Sequence, residues 1–147
     1  MFTGGDDSGS SPSTWRSHAL NMIGESTPVT IELSGGIDGY DVDVSVLISS
    51  ENDLSSQQTR LFIASTMDSV FYSGANGLLH HQGTIIEMLT SNTGDDITLD
   101  GINDVQLNYD WTMDSNWPNN NSVTWDISDL NIVVFVQNYT SKEVYQS

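Results

Sequence analysis

The chain contains no cysteine, which excludes disulfides, thiolate metal sites and a cysteine nucleophile. Cations are almost as scarce. Three basic residues, Arg16, Arg60 and Lys142, stand against 20 Asp and Glu, for a formal net charge of −17. A surface of this sign repels phosphate backbones and anionic headgroups, so nucleic acid is excluded as a partner. Long apolar runs are missing too. None approaches the ~20 residues of a membrane helix, so direct membrane insertion is not expected. The opening residues lack the basic-then-apolar order of a signal peptide.

What is present is enough for a core. The 147 residues are 37% hydrophobic and include four Trp, which sets the chain apart from disordered compositions. Acidic charge with abundant Ser, Thr and Asn suits a chain kept soluble in a salty medium that screens self-repulsion. The expected location is therefore extracytoplasmic, secreted or at the cell surface. Residues 1–13 are Gly, Ser and Asp-rich and read as a flexible tail or linker. Residues 14–147 read as one domain. Trp15 to Ile23 has the spacing of a short helix, with Ser13 or Thr14 as its cap and Gly24 as its stop.

From Pro28 onward the apolar period is two, the signature of strands with one buried and one wet face. Val29, Ile31 and Leu33 alternate with Thr30 and Glu32; Tyr40, Val42, Val44, Val46 and Ile48 alternate with Asp41, Asp43 and Ser45. Gly35 to Gly39 between them reads as a hairpin loop. Further strands are expected over Thr59 to Thr66, at Val70 to Tyr72, at Ile97 to Leu99, from Val105 to Trp111, at Ile132 to Val136 and at Glu143 to Gln146. Leu78 to Leu89 mixes periods and reads as irregular with one helical turn. Seven or eight short strands at ~8–12-residue spacing predict an all-β fold, an immunoglobulin-like antiparallel β-sandwich.

Candidate chemistry is sparse. Asp95, Asp96, Asp100 and Asp104 crowd a stretch without a balancing base. Hard cations want several converging oxygen ligands, so Ca²⁺ is the cofactor these residues would suit. The plainer account is solvated strand ends, since the spacing of a helix-loop-helix calcium loop is missing. Trp117 sits in a loop with Asn119 and Asn120, a candidate platform for a sugar ring. His80 and His81 are adjacent, and neighbours on a strand point to opposite faces, which argues against a shared ion. Glu87 is the one acid in apolar surroundings but has no identifiable partner carboxylate. No Gly-x-Ser-x-Gly elbow occurs. These observations do not spell an enzyme.

One resemblance runs through the second half. Gly94-Asp-Asp-Ile-Thr-Leu, a strand ending near Trp111, Asn131-Ile-Val-Val-Phe-Val-Gln-Asn138 and Lys142-Glu-Val-Tyr-Gln146 resemble the C-terminal domain of the outer membrane protein 28-related family. There a "vvaFvQ" strand precedes a "KeVlQA"-like ending. An upstream "H…ML…G" stretch is matched by His80 or His81, Met88, Leu89 and Gly94, and Trp15 to Leu33 is placed like the family's connector. The resemblance covers residues 15–147. It implies an immunoglobulin-type sandwich in an exported protein, often behind a thioredoxin-like domain. The chain departs from the family at Ile86 and Glu87, where a basic residue is usual, and the thioredoxin-like part is missing, so no redox role is implied.

The expected function is a non-catalytic, extracytoplasmic module for adhesion, assembly or structural support. Its partner would be another protein, or a second copy, paired through edge strands such as Glu143 to Gln146. The alternatives are a calcium- or carbohydrate-binding module and a filament or viral structural subunit.

Overall fold

The computed structural model describes Arg16, residues 26–75 and residues 77–147. The expected tail over residues 1–13 lies outside them, as does the expected helix at Trp15 to Ile23 apart from Arg16.

Among the described residues ten strands form in chain order: β1 Val29–Asp38, β2 Asp41–Ser50, β3 Thr59–Met67, β4 Val70–Phe71, β5 His80–His81, β6 Thr84–Met88, β7 Asp95–Asp96, β8 Val105–Thr112, β9 Leu130–Asn138 and β10 Val144–Gln146. The first sheet has the order β1-β2-β8. The second has β10-β9-β3-β6, with β7 also on β3, and β4 and β5 make a separate two-stranded ribbon. Every pairing is antiparallel. The two main sheets stack as an immunoglobulin-like β-sandwich.

Alternation decides which faces meet. In β2, Val42, Val44, Val46 and Ile48 are buried while Asp41 and Asp43 are exposed. They meet Leu61, Ile63 and Met67 of β3 and Val134 and Val136 of β9 in one apolar core. β3 is buried on both faces because it is the centre of its sheet. On its outer face Phe62 stacks on Phe135, with ring centroids 4.7 Å apart. The polar groups that enter this interior find partners. Thr59 Oγ1 donates to Ile97 O at 2.7 Å, and Asn138 Oδ1 accepts from Thr140 N at 2.9 Å and Ser141 N at 3.0 Å.

Four expectations are corrected. The β1–β2 turn is the pair Gly39-Tyr40, closed by Asp38 opposite Asp41, rather than a loop from Gly35. Gly39 has φ 63°, the conformation a tight hairpin needs at its first central residue. β1 therefore runs straight through Gly35-Gly36, and Tyr40 leaves the strand. Leu78 to Leu89 holds β5 and β6 instead of a helical turn, because β3 offers an open edge there: Thr66 pairs with Ile85 and Ala64 with Met88. The strand expected at Ile97 to Leu99 is displaced to Asp95–Asp96, although Ile97 and Leu99 are buried. The strand count among the described residues is ten, above the expected seven or eight.

Candidate functional site

The four aspartates of the calcium reading lie on separate tasks. Asp95 Oδ1 accepts from Ser91 N at 3.0 Å and Asp95 Oδ2 from the Tyr109 hydroxyl at 2.9 Å. Asp96 forms an ion pair with Arg60, Nε to Oδ1 3.0 Å. Asp100 folds its own turn: Oδ1 accepts from Ile102 N at 2.9 Å and Asn103 N at 2.8 Å, and Oδ2 from Asn103 Nδ2 at 2.8 Å. Those donors, the Asn103 amide first, lower its pKa from 3.8 to about 2. Asp104 precedes β8. Among the described residues no three acid or histidine side chains are gathered as a metal site would need.

Trp117 is packed in a row of rings instead of standing free. Its ring meets that of Trp125 edge-on at 6.1 Å, and Trp125 meets Tyr40 at 6.4 Å. Trp125 Nε1 donates to Trp117 O at 2.8 Å. Trp117 is half-buried against the core; the expectation of an exposed platform is corrected, because the loop folds back over Trp125. Asn119, at φ 55°, and Asn120 are exposed, and Asn120 Oδ1 caps the turn through Ser122 N at 3.0 Å.

His80 stacks on Phe71 at 4.7 Å with its Nε2 3.0 Å from Ser69 Oγ, whereas His81 Nε2 lies 3.2 Å from Tyr72 O. The two rings serve different neighbours, as adjacent strand residues must. Glu87 is exposed and its Oε2 accepts from Trp111 Nε1 at 3.0 Å. Cations are equally committed. Arg60 Cζ and Lys142 Nζ lie 3.9 and 3.6 Å from the centroid of the Tyr139 ring.

The feature that sequence reading missed is an open side. On one flank the sheets are tied by Tyr109 to Asp95 and Trp111 to Glu87. On the other, β1 faces the short β10, and β10 reaches only Val136 and Gln137 of β9. Above it the two sheets part. Two cavities of about 300 and 410 Å³ open there, sharing Leu33 and Ile132 in their walls. Leu33 and Ile37 remain 48% exposed and Val133 42%. The nine residues of β9 against the three of β10 leave this edge open.

No family model matches the chain, and no curated protein matches it. Among solved structures it is similar to HBP35 of Porphyromonas gingivalis, with a TM-score of 0.70 at 13% identity, over 92% of this chain and 45% of that one. The chain thus spans less than half the length of that neighbour. At this identity the likeness shows the fold.

Proposed function

We propose that the chain is a non-catalytic β-sandwich module of an exported or surface-attached bacterial protein, working by strand pairing in adhesion, assembly or domain support. The observation that carries this reading is the open flank. Among the described residues β1 offers ten residues of unpaired edge, and the upper part of β9 offers more on the same side. Natural sheets usually cover or blunt such edges, and an uncovered one is a ready template for another strand. Net charge supports an extracytoplasmic place, as does the resemblance to the C-terminal domain of the outer membrane protein 28-related family. The match to under half of a longer chain fits a module that is used within larger proteins.

A photo-crosslinking residue at Leu33, on the open flank, tests the reading in intact cells of the source organism, with Gln106 on the outer face of β8 as control. Adducts to an extracytoplasmic protein from the first position and not the second are expected. Adducts only to cytoplasmic proteins, or equal labelling from both positions, would overturn it.

A further inference from the structure

The backbone of β9 shows which groups are left over. Tyr139 N donates to Gln58 O at 2.7 Å, and Asn138 N donates to Glu143 O at 2.8 Å. The backbone groups of successive residues in a strand point to opposite edges, and β9 pairs with β3 without a register shift. Odd-numbered residues of β9 therefore bond to β3, and even-numbered ones face the β10 side. Val136 and Asn138 meet β10 and the turn before it. Among the described residues Ile132 and Val134 meet no strand. Among the described residues no strand pairs with the six residues Leu130 to Phe135 on that edge, where only Leu130 N is engaged, donating to Ile127 O.

The vacant edge coincides with the apolar trough. Ile132 lines both cavities, and across the gap stand Leu33, Ile37, Val42 and Val44 of the first sheet. A strand laid on β9 above β10 would satisfy the free amides and carbonyls. Its alternate side chains would project between the sheets into the two cavities. An extra strand laid on β1 would satisfy that edge alone, because its inner face would have no second sheet opposite.

Charge chooses the occupant. Asp126 and Asp129 stand at the entry to β9, and Glu32, Asp38 and Asp43 lie on the outer face of β1 and β2 around the gap's first-sheet wall. The sandwich's two cations, Arg60 and Lys142, are held on Tyr139 at the opposite end. A second copy would bring another −17 to an already acidic domain. We infer that the β9 edge between the sheets accepts an extended segment of another protein, about six residues long, with apolar residues at alternate positions and Lys or Arg between them. This rests on the strand-pairing reading above and specifies its site and partner chemistry.

The test uses the whole chain with a labelled synthetic peptide of alternating Leu and Lys, a Leu and Glu counterpart, and a Lys-rich scramble without alternation. Binding is read by fluorescence anisotropy and by amide NMR shifts. The alternating basic peptide should bind, shift the amides of Ile132 and Val134, and weaken as salt rises. Ile132→Pro removes one free amide and Leu33→Lys places a charge in the trough. Each should weaken binding by about tenfold or more, the loss expected when a partner group is left unpaired. Leu33→Lys, at a half-exposed position, guards against a folding failure of Ile132→Pro, and the melting temperature of both variants is recorded. Binding that shifts only residues elsewhere would overturn this site while leaving the strand-pairing module intact. Binding by the acidic peptide or scramble with equal strength would overturn the partner chemistry. Failure of all peptides with concentration-dependent self-association would replace the partner by a second copy. Failure of all peptides from a chain that stays monomeric would overturn both readings.

Discussion

The Tyr109 hydroxyl donates to Asp95 Oδ2 at 2.9 Å and so links β8 of one sheet to β7 of the other. Burial, then the hydrogen bond and charge of Asp95, raise the Tyr109 pKa well above its ordinary 10.0. A tyrosine whose folded pKa is raised contributes stability that is complete below the unfolded pKa and is lost as pH climbs beyond it. Wild-type stability should therefore fall above about pH 10, and Tyr109→Phe should flatten that fall. At neutral pH the same variant should lose about 1 kcal/mol, the usual net worth of such a bond. Denaturant unfolding between pH 7 and 11, with absorbance titration of the phenols, checks both. An unchanged alkaline slope in Tyr109→Phe would show that the bond does not join the sheets.

Asp100 gives the opposite sign at the acid end. Its pKa is lowered to about 2 by the donors of its own turn. A depressed carboxylate supplies stability above the unfolded pKa, and that stability disappears as pH falls towards the folded value. The window is from about pH 4 down to 2. Asp100→Ala should be less stable than wild type at pH 7, and the two should converge near pH 2. The turn also holds Gly101 against Asn52 and Asp53, where a Cβ would come within 2.8 Å of Asn52 C, so the variant is compared by melting temperature against Asp104→Ala. Parallel curves for wild type and Asp100→Ala would remove Asp100 from the acid response.

Gly35 is the tightest point of the flank on which the proposed function depends. A Cβ added there would lie 2.0 Å from Asp43 O, and the residue has φ 151°. Backbone cannot yield as a flexible side chain can, so Gly35→Ala should separate β1 from β2 locally or destabilise the fold by more than about 2 kcal/mol. Gly36→Ala, whose Cβ would meet only Asp43 Oδ1 at 3.4 Å, should be close to neutral. Amide hydrogen exchange in β1 distinguishes the pair. Equal protection in both variants would show that β1 bends away from Asp43 at no cost.

Period two in the sequence located β1, β2 and β8, because each has one face towards the core and one in water, and polarity records that division residue by residue, while the apolar run Ile132 to Val136 located β9. Where polarity did not follow burial, the pattern failed. Ile85 is exposed while Ile86 packs on the core, yet the chain before them mixes His, Gln and Gly, and only the free edge of β3 makes it a strand. Trp117 was misplaced because an aromatic residue amid asparagines reads as exposed, whereas the loop folds it onto Trp125, which Tyr40 of the distant β1–β2 turn backs in its turn. The open flank was illegible for a different reason. An edge is defined by which strand is missing beside it, and no residue of β9 carries that information by itself.

The acidic stretch offers a last discriminating measurement. Asp95 is bonded to Tyr109 and Ser91, Asp96 to Arg60, and Asp100 to its own turn. A cation that recruited these carboxylates would have to break those bonds before gaining its own. Melting temperatures in EDTA and in millimolar Ca²⁺ at matched ionic strength should therefore agree within about a degree, since only screening of the −17 charge remains and it is held constant. A real site would behave differently: a ligand at a hundredfold excess over its Kd adds about 2.7 kcal/mol, several degrees for a domain of this size. An upshift of that order, abolished by Asp100→Ala, would mean that the turn reorganises around an ion and would restore the calcium-binding alternative.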